Sequence, residues 1–285
     1  MPNVKCSTGQ LIHGFEKLAF ALKEVTTDSF YWNERIELRL KNQIENPNTS
    51  LPETQFDLGA TTTRIADAKI EITSTDLYAS VVASLKEGIS GLGNPVISQI
   101  ICLGLGKIGE CLTARYQFVV ILSLSELFNT KILAYDPVFT ENDKKILSTF
   151  NVTLLTDNLE GKYRVKNKET VLFYMPHCSK QLTNNLLWTN WGLDLNYCII
   201  IANSFRKIID SNSSKEIEVK AGYVSKILPY VLEIAIINSF KYYEIFNDIA
   251  IHVFPNINMV CQDLWKECLE PKYSEIDLEF ITDSK

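Results

Sequence analysis

The chain has 285 residues, of which 46% are hydrophobic and 22% charged, and its formal net charge is −6. This composition indicates a compact globular protein rather than a disordered or fibrous one, and the negative charge disfavours nucleic acid as a partner. The N-terminus lacks the pattern of a secretory signal and no apolar run is long enough to cross a bilayer, so we expect a cytoplasmic protein with access to the nucleus and no membrane partner.

The cysteines and histidines limit which disulfide and metal sites the chain can form. The seven cysteines include no C-x-x-C pair, which argues against a disulfide framework and a structural zinc site. Only three histidines are present, and His13 is remote in sequence from His177 and His252. No metal site is predicted.

Three regions follow one another along the chain. Residues 1–75 are predicted to form an N-terminal extension, with a helix over 9–23, an aromatic cluster over 30–32 and a polar linker over 46–63. Residues 76–270 are predicted to form the main domain, which opens with a helix over 75–89, and residues 271–285 a C-terminal tail.

From Ser98 onward, short apolar runs alternate with longer helical stretches, as in parallel strands buried on both faces. Strands are predicted at 99–103, 131–135, 152–155, 170–174, 197–202, 231–237 and 247–254. Helices are predicted at 108–128, 141–150, 179–191 and 219–230, the second capped by Thr140. Right-handed crossovers then give a three-layer αβα Rossmann-like sandwich with a mostly parallel sheet.

A glycine motif follows the first strand and precedes a helix, which is the context of a dinucleotide-binding fingerprint. Gly104 suits the tight turn, Gly106 the approach of a phosphate or ribose, and Gly109 the close packing of helix on strand. The alternative is a strand-to-helix turn that needs glycine but holds no ligand. Asp136 ends the second strand, where an acidic residue binds a ribose diol, although thirty residues separate it from Gly106 rather than about twenty.

Other polar residues follow later strands at the same sheet edge. Pro176, His177 and Cys178 end the fourth strand, and Asn203 ends the fifth. His177 and Cys178 are candidates for a base and a thiol nucleophile, although a structural histidine is favoured because neighbouring side chains on a strand point apart. Asp248 and His252 are predicted to share one strand face near His177, as further catalytic candidates or as ordinary hydrogen-bonded structure.

Several motifs form an ordered series that resembles the SRR-type family, named for plant "sensitivity to red light reduced". They are the glycines at 104 and 106, Arg-Tyr-Gln at 115–117, Tyr-Asp-Pro at 135–137, Asn158 with Gly161, Met-Pro-His-Cys at 175–178 and Asn-Ser-Phe at 203–205. The resemblance covers about residues 95–255. It implies a regulatory protein linked to circadian clock input, light signalling and control of heme biosynthesis, with protein partners and no accepted catalytic activity. From the residues alone, we expect the Arg-Tyr-Gln motif to lie two to three turns into its helix, as packing or a buried polar link.

The leading hypothesis is thus a regulatory protein whose crevice holds S-adenosylmethionine or a nucleotide at Gly104, Gly106, Gly109, Asp136, Pro176 and Asn203. The cofactor itself is not identified by the sequence. The alternatives are a methyltransferase and an NAD(P)-dependent oxidoreductase. An antiparallel last strand, built near 247–254 and inserted in the sheet, favours methyltransferase-like topology over dinucleotide-binding topology.

Overall fold

A computed structural model of the protein describes residues 56–266 and 268–282. The predicted helix over 9–23 and the aromatic cluster over 30–32 lie outside these residues. Within them, no helix combines the length and apolar character needed to cross a bilayer.

The described residues form one sheet of seven strands. The strands are β1 (Ile97–Leu103), β2 (Lys131–Tyr135), β3 (Thr153–Leu154), β4 (Thr170–Met175), β5 (Cys198–Asn203), β6 (Leu232–Ala235) and β7 (Ile249–Val253). Their order is β3-β2-β1-β4-β5-β7-β6. All neighbouring pairs from β3 across to β5 are parallel, whereas β7 is antiparallel to both β5 and β6. The sheet therefore departs from the dinucleotide-binding order 3-2-1-4-5-6 through an inserted antiparallel strand.

Helices cover both faces of the sheet. The helices are α1 (Leu58–Thr73), α2 (Asp76–Gly91), α3 (Leu112–Phe128), α4 (Glu141–Thr149), α5 (Lys180–Thr189), α6 (Phe205–Asp210), α7 (Ser214–Lys220), α8 (Gly222–Ile227) and α9 (Asp263–Lys266). Buried side chains of α1 to α4 share one apolar cluster, and those of α5 to α8 share another. The predicted three-layer αβα sandwich is thereby confirmed.

Strand β4 shows why the central strands read as continuous apolar runs. All its residues are buried. Leu172 and Tyr174 join the cluster beneath α1 to α4, whereas Val171, Phe173 and Met175 join the cluster beneath α5 to α8. A strand covered on both faces has no polar side, so its pattern does not alternate. The predicted bounds of all seven strands lie within two residues of the observed ones.

Three helix predictions need correction. The first crossover helix begins at Leu112 rather than 108, because residues 104–111 form a loop and turn. The helix predicted over 219–230 is two short helices, α7 and α8, separated at Ala221 and followed by a 3₁₀ turn that contains Pro229. The end of the predicted linker, residues 58–63, is helical instead, because the Asp57 side chain caps α1 by accepting the amide of Ala60.

Helix α1 packs against α3. Tyr116 of α3 donates its hydroxyl proton to the Glu71 carboxylate of α1 at 2.5 Å, and Lys69 pairs with Glu126. The compact unit formed by the described residues begins at Phe56 and so includes α1, which the sequence pattern assigned to the N-terminal extension.

Candidate ligand-binding site

The glycine-rich loop links β1 to α3. Gly104 and Gly106 have φ values of +68° and +80°, a backbone conformation that other residues adopt only at a cost. A Cβ atom on Gly104 would lie 2.4 Å from the Sγ of Cys178. The turn at Gly104 therefore has the geometry that the motif predicts. Gly109 precedes α3, and its nearest neighbours include Ile146 of α4, so it does not serve the close packing of α3 on β1.

Two carboxylates accept the backbone amides of this loop. Asp136, just after β2, accepts the N–H of Gly106 at 2.7 Å and the N–H of Val138 at 3.0 Å. Asp143, in the first turn of α4, accepts the N–H of Gly109 at 3.0 Å. A phosphate held by a glycine loop needs such amides as donors. The amides of Gly106 and Gly109 already donate to carboxylates, which disfavours a pyrophosphate at this position.

A cavity of about 220 Å³ opens beside the loop, at the carboxyl ends of β1, β2 and β4. We call it the crevice. Its walls are formed by the strand tips, by the loop that contains Asn158 and Gly161, and by a C-terminal segment; the lining residues are Leu103, Gly104, Tyr135, Asp136, Pro137, Val138, Asn158, Glu160, Gly161, Tyr163, His177, Cys178, Ser179, Leu182, Glu279, Phe280 and Ile281. The predicted site residues Gly104, Asp136, His177 and Cys178 thus meet here. Gly106, Gly109, Pro176 and Asn203 do not line this cavity.

The crevice is lined by acidic groups. Among the described residues that line it, three are carboxylates, at Asp136, Glu160 and Glu279, and none is Lys or Arg. Glu160 pairs with Lys162 at 3.2 Å, and Glu279 pairs with two lysines of α5 and α7, so these two charges are partly neutralised. Among the described residues, Asp136 has no lysine or arginine partner, and its carboxylate accepts the amide of Gly106 at the glycine loop. Such a lining favours a ligand with a positive centre over a polyphosphate.

Cys178 fills the space under Gly104. Its side chain is buried, and its thiol donates to the carbonyl of Leu103 at 3.3 Å. Burial, together with the charge of Asp136, raises the pKa of the thiol to about 12. Because the thiolate is the nucleophilic form, this environment supports a packing role for Cys178 over a catalytic one.

Asn203 holds the turn that contains His177. Its side-chain oxygen accepts the N–H of His177 at 3.0 Å, and its side-chain nitrogen donates to the carbonyl of Cys178 at 3.0 Å. His177 has a φ of +56°, so it lies off the strand, and the rule of opposite strand faces does not apply to it. The Nε2 atom of His177 lies 3.0 Å from the carbonyl of Ile245. A carbonyl only accepts, so Nε2 carries the proton, and Nδ1 is the acceptor in the neutral ring.

A second cavity, also of about 220 Å³, shares His177 with the crevice. Asn203, Lys207 and Asp248 line it together with His177. Lys207 and Asp248 form an ion pair. Asp248 has a φ of +60°, and such backbone strain in residues other than glycine concentrates at functional sites. His177 and Asp248 are thus brought together, as the sequence predicts.

His252 is not part of this group. It lies on β7 with its side chain fully buried, and its Nε2 atom is 3.2 Å from the carboxylate of Glu233. Asp248 precedes β7, so the even spacing between the two residues does not place them on one strand face. Glu233 was missed from the sequence. The sequence signal for it is an acidic residue inside the apolar run of β6. In the structure this residue lies directly opposite His252 in the strand register.

Glu233 links three elements. Ser204 donates its hydroxyl proton to the Glu233 carboxylate at 2.7 Å, and the amide of Arg206 donates at 3.1 Å. Burial raises the pKa of Glu233, but hydrogen bonds from His252 and Ser204 outweigh burial and lower the pKa to about 2. The carboxylate therefore stabilises the junction of β6, β7 and α6 rather than facing a cavity.

The Arg-Tyr-Gln motif supplies buried polar links, as expected, although it lies in the first two turns of α3 rather than two to three turns in. Tyr116 reaches Glu71 of α1, and the side-chain amide of Gln117 donates to the carbonyl of Ile245 at 3.1 Å. The same carbonyl lies 3.0 Å from Nε2 of His177. Two motifs far apart in sequence therefore meet at one backbone group beside the crevice.

Fold and crevice together define a Rossmann-like α/β protein with an inserted antiparallel strand of the methyltransferase-like kind. A family model, SRR1 domain, matches residues 81–253, which is more than half of the chain. The chain belongs to this family, and the resemblance inferred from the motifs is confirmed.

The chain is similar to an SRR1-like protein of Drosophila melanogaster, with 24% identity over 75% of this chain and 77% of that protein. It is 38% identical to an SRR1-like protein of Mus musculus, over 53% of this chain and 61% of the mouse protein. It is 29% identical to the Arabidopsis thaliana protein SENSITIVITY TO RED LIGHT REDUCED 1, over 48% of this chain and 52% of the plant protein.

Solved structures with partial likeness include the plantazolicin methyltransferase BamL in complex with a triazolic desmethylPZN analog and SAH. The match has 13% identity and a TM-score of 0.28, over 57% of this chain and 59% of that one. A fibrillarin pre-rRNA processing protein of Methanococcus jannaschii matches with 11% identity and a TM-score of 0.30, over 56% of this chain and 68% of that one. The fold assignment depends on the strand order described above.

Proposed function

We propose that this chain is a regulatory protein whose crevice binds an adenosyl ligand without phosphate groups, of the S-adenosylmethionine type. The regulatory part of the proposal, in clock input, light signalling or control of heme synthesis, in cytoplasm and nucleus and through a protein partner, comes from family membership. The ligand part depends on the crevice.

One observation carries the ligand proposal: the described residues that line the crevice include carboxylates but no lysine or arginine, and the loop amides of Gly106 and Gly109 already donate to Asp136 and Asp143. A sulfonium ligand has a positive centre and no phosphate, so it suits this lining. Each carboxylate oxygen has two lone pairs. Asp136 therefore retains acceptor capacity for ribose hydroxyls while it holds the glycine loop. A nucleotide or NAD(P) would bring its phosphates to carboxylates.

Isothermal titration calorimetry with S-adenosylmethionine, S-adenosylhomocysteine, ATP, NAD⁺ and heme tests this proposal. We expect the two adenosyl compounds to bind more tightly than ATP or NAD⁺. Asp136→Asn keeps the side-chain shape but removes the charge, and we expect it to weaken adenosyl binding roughly tenfold to a hundredfold, the value of a charged hydrogen bond. Asp67→Ala, at an exposed carboxylate on α1, is the matched control.

Tighter binding of ATP or NAD⁺ than of the adenosyl compounds would contradict the ligand proposal in favour of a nucleotide. Binding of none of the five to the wild type would leave a protein-interaction scaffold as the better proposal. Unfolding midpoints of the variants, measured alongside, separate lost binding from lost structure.

A methyltransferase is the second candidate, and the position of His177 favours it. This residue lines both the crevice and the second cavity, so an adenosyl ligand in one and an acceptor in the other would both lie beside it. Its Nδ1 atom is suited to accept a proton from such an acceptor. If the chain is a methyltransferase, transfer of a tritiated methyl group from S-adenosylmethionine to cell-extract acceptors should be lost in His177→Ala while adenosyl binding is retained.

A further inference from the structure

The C-terminal residues 273–281, which we call the strap, lie across α5 and form one wall of the crevice. Gln181 of α5 clamps the strap at two points: its side-chain nitrogen donates to the carbonyl of Asp277 at 2.8 Å, and its side-chain oxygen accepts the N–H of Glu279 at 2.8 Å. Beyond these points, Asn158 donates to the carbonyl of Ile281 at 2.8 Å. The strap is thus held by its backbone along most of its length.

Helix α5 carries buried amides that have partners both in the strap and elsewhere, since Asn184 also accepts the amide of Tyr223 and Asn185 donates to the carbonyl of Glu160. Asn184 donates to the hydroxyl of Tyr273 at 3.0 Å, and that hydroxyl lies 2.9 Å from the side-chain oxygen of Asn185. Gln181, Asn184 and Asn185 are all at most 2% exposed. Buried amides without partners are costly, and Asn is a poor helix former. The sequence of α5 is therefore suited to a bound strap.

An ionic contact adds to these hydrogen bonds. Glu279 of the strap lies 2.9 Å from the ammonium of Lys180 and 3.0 Å from that of Lys220. Both lysine side chains are less than one fifth exposed, at 16% and 17%. The contact ties the strap to α5 and α7 at once.

The strap also limits the size of the crevice. Glu279, Phe280 and Ile281 are among its lining residues, and the remaining volume is about 220 Å³. Sites for small organic ligands usually measure about 300–1,000 Å³. With the strap in place, the crevice volume is below this range, so the strap restricts the space for an adenosyl ligand of the class proposed above.

We propose that the strap is an autoinhibitory lid: it closes the crevice in the free protein, and ligand binding requires its displacement from α5. This inference rests on the proposed adenosyl function and adds its regulation. Apparent affinity then equals the affinity of the open form multiplied by the fraction of molecules that are open. Any change that loosens the strap should tighten binding.

The test compares four full-length proteins: wild type, Gln181→Met, Phe280→Ala and Ile276→Ala. Gln181→Met removes both backbone clamps but lies outside the crevice lining, and Phe280→Ala shortens the strap side chain within it. Ile276 belongs to the strap but is 97% exposed, so its substitution is the matched control. Binding of S-adenosylhomocysteine is measured by calorimetry, and exposure of the Glu279 amide by hydrogen exchange.

We expect Gln181→Met to bind S-adenosylhomocysteine roughly fivefold or more tightly than wild type, the effect of losing one or two hydrogen bonds from the closed form. Phe280→Ala removes the ring contact with Tyr273 and should bind it roughly twofold or more tightly. Ile276→Ala should bind as wild type does. Added S-adenosylhomocysteine should accelerate exchange at Glu279 in the wild type. Phe280→Ala keeps the proposal testable if Gln181→Met does not fold.

Equal affinities of wild type and Gln181→Met, with faster exchange at Glu279 in the variant, would overturn the lid while leaving the adenosyl proposal intact. Weaker binding by Phe280→Ala would also overturn it, because the strap would then be part of the binding surface. If neither S-adenosylhomocysteine nor S-adenosylmethionine binds to any of the four proteins, the proposed function fails and the lid fails with it.

Discussion

Gly104 is a crevice position that both its backbone conformation and a close neighbour restrict to glycine. In Gly104→Ala, the new side chain would have to adopt a φ of +68°, which costs an alanine about 1–2 kcal/mol. Its Cβ would also lie 2.4 Å from the Sγ of Cys178, in a buried environment, and overpacking of this kind costs about 1–3 kcal/mol. The expected loss of unfolding free energy is therefore about 2–5 kcal/mol, measured by urea denaturation at pH 7.

A matched substitution separates backbone strain from steric overlap. Gly93 has a φ of +82°, but a Cβ there would meet no heavy atom within 4 Å. Gly93→Ala should therefore cost only the strain of about 1–2 kcal/mol. In Gly104→Ala/Cys178→Ala the overlapping sulfur is absent, so the double variant should be less destabilised than the sum of the two single variants, by about 1–3 kcal/mol. Additive single effects, or equal losses at Gly93 and Gly104, would refute the close approach of Gly104 to Cys178.

Three further predictions concern buried polar groups. The pKa of Glu233 is lowered to about 2 from 4.5, so its stabilising effect is present above about pH 4.5 and is lost as the pH falls towards 2. In urea denaturation between these pH values, the unfolding free energy of Glu233→Gln should therefore depend less on pH than that of wild type. An equal pH dependence in the two proteins would contradict this. Cys178 should react with a thiol reagent only after unfolding, whereas the exposed Cys111 should react in the native state. Tyr116→Phe removes the hydroxyl that donates to Glu71 and should lower the unfolding free energy by about 1 kcal/mol in the same urea assay, an unchanged midpoint being the contrary result.

The sheet could be predicted from the sequence because its strands are short, apolar and buried on both faces. The helices were harder where the local pattern continues through a break. Apolar spacing persists from α7 into α8, yet Ala221 has a φ of −145° and ends the first helix. Likewise, apolar residues ahead of Leu112 extend the pattern of α3, but the amide of Gly109 donates to Asp143 of α4 instead of starting the helix. Such breaks depend on contacts between elements that spacing does not reveal.

The sequence predicts where the crevice lies in the fold but not the hydrogen-bond partners of the buried side chains near it. Strand ends mark Asp136, His177 and Cys178, since parallel strands bring their carboxyl ends to one sheet edge. The partners of the buried groups come from elsewhere in the chain: Glu233 binds His252 through the register of β6 on β7. Residues 273–281 have no long period, so nothing in their pattern predicts that they cover the crevice.

The motifs that define the family also hold the crevice in shape. Cys178 fills the space under Gly104, Asn203 fixes the turn at His177, and Gln117 and His177 share the carbonyl of Ile245. A substitution at Cys178, Asn203 or Gln117 therefore acts first on the rigidity of the rim, whatever the crevice binds. The spare lone pairs of Asp136 and the Nδ1 atom of His177 are available for a ligand or an acceptor. Variants at these two positions that retain the wild-type unfolding free energy are thus the ones that separate a ligand-binding regulator from an enzyme.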